Sequence, residues 1–244
     1  MRSISLIVLL VCLVLPARGE NASSLLAQGN SRMDARDYAG ALKFYEQARK
    51  LEPDNPAILY NLGLAANFCG RHPAAVDALE RYRVLEPGNY LGLTKLIQAL
   101  EGAGRAREAE ARVAELRGWW KSGRTPELST ERSFVREQFP VGKHWVVVFE
   151  FFEPDFKARE HTWDFMVYDA PGSSDALAMF YVMYDEAASA AVETKKTDLY
   201  FFDVRGPGGG RTLGVAVRKP TYPEARQWMK RAIAGEKIGP VINL

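Results

Sequence analysis

Ala41-Leu42-Lys43-Phe44-Tyr45-Glu46-Gln47-Ala48-Arg49-Lys50-Leu51-Glu52-Pro53 is the stretch from which the fold follows. Its first alanine recurs at a step of 34 residues, as Ala75 and Ala109, and its proline recurs as Pro87. Gly29 and Gly63 keep the same step, and so do Gly70 and Gly104. A fixed period of this length marks a supersecondary unit that is copied and stacked, because one copy alone cannot bury its apolar face. Small side chains at constant spacing let paired helices approach closely. Tyr38, Tyr45, Leu59, Leu62, Leu79 and Leu96 fill the space beside those contacts. Gly70 and Gly104 fall in the turns between paired helices, where a left-handed backbone suits glycine. Pro53 and Pro87 close the second helix of a unit and launch the next.

The Ala41–Pro53 stretch resembles the second half of a tetratricopeptide unit, and Leu59-Tyr60-Asn61-Leu62-Gly63 resembles the first half of the following one. The resemblance runs from Ala22 to about Trp120 and implies an α-solenoid of three helical hairpins. The third unit, from Tyr90, departs from the pattern: Ile97 replaces the glycine, Leu116 stands where Ala48 stood, and Lys121 takes the closing-proline place. Terminal repeats deviate because their outer face meets something other than a repeat. Trp119 and Trp120 at that end are read as the seam onto the next domain.

The resemblance also implies a function. In this family the first helices of successive units line a concave surface that grips a peptide or partner protein. Here that lining is Asn30, Met33, Tyr60, Leu64, Asn67, Phe68, Lys95 and Gln98. Aromatic and apolar anchors mixed with amides suit a peptide held through its backbone and one or two side-chain pockets. Asn30, Asn61 and Lys95 match part of a clamp that some members use on a C-terminal carboxylate. Leu26 and Leu91 stand where two more lysines would be needed, so a less charged peptide is expected. Tyr60, Leu64 and Phe68 are also spaced as a buried helix face would be, so the groove is either free or covered by the downstream domain.

Periodicity changes after Trp120. Residues 121–132, with Gly123 and Pro126, read as a linker. Strand-like runs follow within 133–244: Phe134 to Phe139, His144 to Phe152, His161 to Tyr168, Ala178 to Tyr184, Leu199 to Val204, and Thr212 to Arg218. Short connections favour antiparallel pairing. Asp185 to Thr197 is either a short helix or the loop of a long hairpin. Thr221 and Glu224 form a capping box with Pro223 in the first turn, and Ala225, Trp228, Met229, Ala232 and Ile233 make an apolar stripe that ends at Gly235. That stripe should lie across the sheet. The fold class expected is thus an α-solenoid followed by an α+β domain, a mostly antiparallel sheet with a C-terminal helix.

Chemistry is sparse. Gly206-Pro207-Gly208-Gly209-Gly210 lies between strands and lacks a following Lys-Ser or Lys-Thr pair, so it reads as a hairpin loop and not a phosphate cradle. His144 and His161 open successive strands and could be neighbours across a sheet edge, with Glu150 or Glu160 nearby, yet nothing in the spacing selects a metal. No catalytic, cofactor or metal residue is assigned. The chain reads as a non-enzymatic interaction scaffold, with an enzyme or small-ligand site in the β half as the alternative. It carries 32 basic and 30 acidic side chains. Charge so near balance gives no reason to expect nucleic acid as a partner.

Residues 1–19 read as a cleavable export signal: Arg2, an apolar run from Leu6 to Leu15, Pro16, then Ala17-Arg18-Gly19 with small residues before the cut. About twelve apolar residues are too few for a span that needs roughly twenty. The expectation is an exported protein, periplasmic or secreted, with no stable membrane span after cleavage. Cleavage would leave Cys69 as the single cysteine, with no internal disulfide.

Overall fold

The computed structural model describes residues 21–125, 132–152, 161–184, 199–206, 209–216, 218–236 and 238. Six helices come first: α1 (Ala22–Asp34), α2 (Tyr38–Leu51), α3 (Pro56–Phe68), α4 (His72–Leu85), α5 (Tyr90–Gly102) and α6 (Ala106–Lys121). Four of them start where the sequence supplies a side-chain cap. Side-chain oxygens of Asn21, Asp37, Asn55 and Asn89 accept from backbone N–H groups in the first turns of α1, α2, α3 and α5, which satisfies donors a helix leaves orphaned.

The 34-residue step has the physical cause expected of it. Ala41, Ala75 and Ala109 are fully buried between paired helices. Gly29 lies flat against the Tyr45 ring, where a Cβ would come within 2.3 Å of Cε1. Gly63 meets Leu79 in the same way, at 2.5 Å from Cγ. The pairs Gly29–Tyr45 and Gly63–Leu79 therefore repeat one contact in successive units. At the third unit Ile97 fills the glycine place and is itself buried, together with Val113. Gly70 and Gly104 take positive φ in the helix-pair turns, and Arg36, one period earlier, takes φ 59°.

Six strands follow: β1 (Ser133–Val141), β2 (His144–Phe151), β3 (His161–Tyr168), β4 (Ala178–Tyr184), β5 (Tyr200–Gly206) and β6 (Gly209–Ala216). They pair in chain order and antiparallel throughout, an up-and-down meander. Gly206 pairs with Gly209, so the glycine run closes the β5–β6 hairpin, and β6 starts three residues before the Thr212 expected. Asp185 to Thr197 lies outside the described residues. The expected linker begins inside α6, whose last residue is Lys121, and 126–131 are also outside.

α7 (Tyr222–Ile233) lies across one sheet face with Tyr222, Ala225 and Met229 buried. They pack on Val146, Val148, Phe165, Val182 and Phe202. Trp163, Phe165 and Val167 of β3 all join this core.

Where the sheet meets the repeats, β1 runs against α5. Phe134 and Phe152 join Leu93, Ile97, Val113, Leu116 and Trp119 in one buried cluster. Trp120 stacks on Phe152 with ring centroids 5.1 Å apart. The paired tryptophans thus cover the end of the helical stack with residues of the sheet, and the departures in the third unit follow from what that unit touches.

Candidate functional site

Two regions collect chemistry: the concave face, and the seam between α5, α6 and the sheet. On the concave face Asn30 is exposed, and its Oδ1 accepts from the Tyr45 hydroxyl at 2.9 Å and from Asn61 Nδ2 at 3.3 Å. The two clamp-like asparagines are therefore bonded to each other. Met33 is half-buried against the repeat core. Tyr60 lies beside Tyr82, with centroids 5.4 Å apart, and burial pushes its hydroxyl pKa up. Leu64 is half-buried. Phe68 stacks on Tyr38, centroids 4.2 Å apart and planes 9° from parallel. Asn67 Nδ2 donates to the Lys95 carbonyl at 3.1 Å, bracing α3 against α5. Burial pushes the Lys95 ammonium pKa down.

Gln98 departs from expectation. Only 4% of it is exposed, and its Nε2 donates to the Val135 carbonyl of β1 at 3.1 Å. The sheet covers this place, so Gln98 holds the chain's own strand and is unavailable to a partner. Helical counting carried no information about which strand would lie over α5.

The apolar part of the seam was read from Trp119 and Trp120, but its ionic part was not. β1 and β2 pair with a bulge between Val135 and Glu137, and Arg136 is the extra residue. A bulge breaks the strict alternation of a strand, so two consecutive charged side chains are buried, Arg136 at 1% and Glu137 at 2% exposure. The Arg136 guanidinium donates to Glu101 Oε1 from both Nε (3.0 Å) and Nη2 (2.6 Å), and also to Glu110 and Glu150. It stacks 3.8 Å over the Tyr222 ring. Arg117 makes a second bond to Glu150. Glu137 accepts from the Tyr222 hydroxyl and from Arg226.

Helices from the repeats, strands from the sheet and α7 all contribute to one buried ionic cluster, in which each desolvated charge has an opposite partner. Burial raises the Glu101 pKa to about 7 despite the opposing pull of Arg136. Burial also works against the Arg136 charge, but Glu150, Glu101 and Glu110 outweigh it and hold the pKa above its ordinary value. The signal that could have revealed the cluster was Arg136-Glu137 side by side between Phe134-Val135 and Phe139 of one strand. Above it opens a cleft of about 450 Å³, walled by Arg107, Glu110, Arg117, Trp163, Lys219 and Tyr222 among others.

The histidines do not converge. β2 and β3 run antiparallel, with Trp145 opposite Tyr168 and Glu150 opposite Trp163. His144 and His161 thus begin their strands at opposite ends, which removes the neighbourhood expected of them. Among the described residues no group of three His, Cys, Asp or Glu side chains could hold a metal ion.

Residues 26–90 match the tetratricopeptide repeat family. A small glutamine-rich tetratricopeptide repeat-containing protein 2 of Mycosarcoma maydis is 33% identical over 36% of this chain and 25% of its own length. The heat-shock protein cognate co-chaperone sgt12 of Aspergillus fumigatus is 32% identical over 27% of this chain and 19% of its own. The chain thus spans a quarter or less of these curated relatives. Among solved structures, the Sgt2 tetratricopeptide domain from A. fumigatus is similar at TM-score 0.38 and 24% identity, covering 45% of this chain and 75% of that one.

Tetratricopeptide repeat proteins, co-chaperones among them, mediate protein–protein contacts. The same relatives correct the expected localisation. The similarity runs to a heat-shock cognate co-chaperone and a small glutamine-rich repeat protein, and this overturns the reading of residues 1–19 as an address for export. Those residues lie outside the described ones. No helix among the described residues is long and apolar enough to cross a membrane.

Proposed function

We propose that the chain is an interaction scaffold in which the tetratricopeptide half, residues 22–120, holds a partner peptide on the concave side of α1 and α3. The β domain, residues 133–244, closes the far end of the stack. The observation that carries this reading is the split fate of the concave residues. Gln98 is consumed by β1, whereas Asn30 is exposed and Met33, Tyr60, Leu64, Asn67 and Phe68 keep part of their surface open. A peptide would find one apolar strip edged by amides, which suits backbone hydrogen bonding with shallow side-chain pockets. Leu26 and Leu91 stand where a two-carboxylate clamp would need lysines, so the partner segment is an uncharged or weakly charged one.

The test is a peptide selection on the immobilised full chain, followed by titration of the enriched sequence. Leu64→Glu should abolish its binding with helicity intact, and Tyr60→Ala should weaken it about tenfold or more, as for an aromatic anchor. Unchanged affinity in both variants would remove the concave face as the site.

A further inference from the structure

The cleft above the buried ionic cluster has a charge pattern that its own side chains leave incomplete. Its two carboxylates are already engaged: Glu150 by Arg117 and Arg136, and Glu110 by Arg136. Its cations outnumber them. Among the described residues Lys219 and Arg107, which both line the cleft, have no carboxylate within salt-bridge distance. The Lys219 ammonium sits 5.7 Å over the Trp163 ring.

Desolvation, and next the Arg117 charge, push the Lys219 pKa down, although its side chain remains exposed. The two facts agree for a group on the rim of a concavity, where protein displaces part of its hydration and water keeps the rest. An arriving negative charge would relieve Lys219 at little further desolvation cost. The rest of the lining is mostly apolar, Ala106, Pro220 and Pro223 with the edges of the largely buried Trp163 and Tyr222, beside the Thr221 hydroxyl.

From this geometry we infer a binding site for a small organic carboxylate with a flat apolar body, its carboxylate between Lys219 and Arg107 and its body against Trp163. A volume of about 450 Å³ falls within the range of small-molecule sites. Walls come from α6 of the repeats, β3 of the sheet and the approach to α7, so occupancy would pin the two halves together. The site is separate from the concave face, and its failure would leave the peptide reading untouched.

The experiment is calorimetric titration of the full chain with 2-naphthoate as probe, beside neutral 2-naphthylmethanol, acetate and a glutamate-rich peptide. Saturable binding of naphthoate alone is expected, with a rise in melting temperature. Lys219→Ala should weaken it at least about tenfold, as loss of a charge-assisted contact does. Because Lys219 is exposed, that variant should melt with wild type when no probe is present. No saturable heat, equal binding of the neutral analogue, acetate as tight as naphthoate, preference for the peptide, or unchanged affinity in Lys219→Ala would each overturn the proposal.

Discussion

Arg36 holds Gly172. From the turn between α1 and α2 its guanidinium donates to the Pro171 carbonyl at 3.1 Å and to the Gly172 carbonyl at 3.3 Å. These bonds tie the β3–β4 loop to the first repeat, across more than half the chain. Arg36 occupies the left-handed place that Gly70 and Gly104 fill in the later units. A non-glycine residue there costs roughly 1 kcal/mol, a cost retained along with the side chain that reaches the loop.

Arg36→Ala keeps the strained backbone and loses the bonds. Amide exchange across residues 169–177 should then speed up, with a small fall in melting temperature. Arg36→Gly loses the same bonds but relieves the backbone, so the loop should loosen as much while global stability stays level or rises. Gly172→Ala attacks the other side: φ is +76° and a Cβ would stand 3.1 Å from the Arg36 Cζ. It should reproduce the faster exchange. Slow exchange of the loop in all three variants would show that the contact holds nothing.

The repeat glycines separate into two kinds that alanine distinguishes. At Gly63 a Cβ would come within 2.5 Å of Leu79 Cγ, whereas at Gly70 it would meet open space. Gly63→Ala must push α3 and α4 apart and should cost about 2–3 kcal/mol, the scale of overpacking a core. Gly70→Ala faces only its positive φ of 68°, and should cost about 1 kcal/mol. Urea denaturation of the two variants gives the order directly, and the reverse order would contradict the packing.

Glu101 makes the seam sensitive to pH near neutrality. Its folded pKa is about 7 against an ordinary 4.5, chiefly through burial. The folded state therefore binds a proton that the unfolded chain has released over that interval, and stability from this group falls as pH rises from 4.5 to 7. The amount is on the order of 3 kcal/mol. His72 works the other way: burial depresses its pKa, so its share grows as pH rises through the ordinary histidine range. The difference between wild type and Glu101→Gln isolates the glutamate. Stability measured by urea at pH 5 and pH 7.5 should lose the downward component in Glu101→Gln, and parallel curves would refute the shift.

Much of the repeat half was legible because its determinants are local and periodic. Ala41, Ala75 and Ala109 announce a close helix contact, Gly70 and Gly104 mark turns between paired helices, and Thr221 with Glu224 starts α7. The strands were legible as short runs joined by short connections, as in His161 to Tyr168. What escaped was set by distant parts of the chain. Gln98 was counted as groove lining, but Val135 of β1 accepts its amide and covers it. Arg136 and Glu137 read as ordinary strand residues until the bulge turns both inward. His144 and His161 begin neighbouring strands, and the reversal of direction separates them.

The sheet touches the helical stack at both extremities, with Phe134 and Phe152 on the last hairpin and Gly172 on the first turn. It therefore acts as a gauge of array length. Duplicating one hairpin would move those extremities apart by about two helix spacings of 8–10 Å each, far more than a 3.3 Å contact can absorb. Tandem growth, the ordinary route by which solenoids gain new surface, would cost this chain one of its two anchorages.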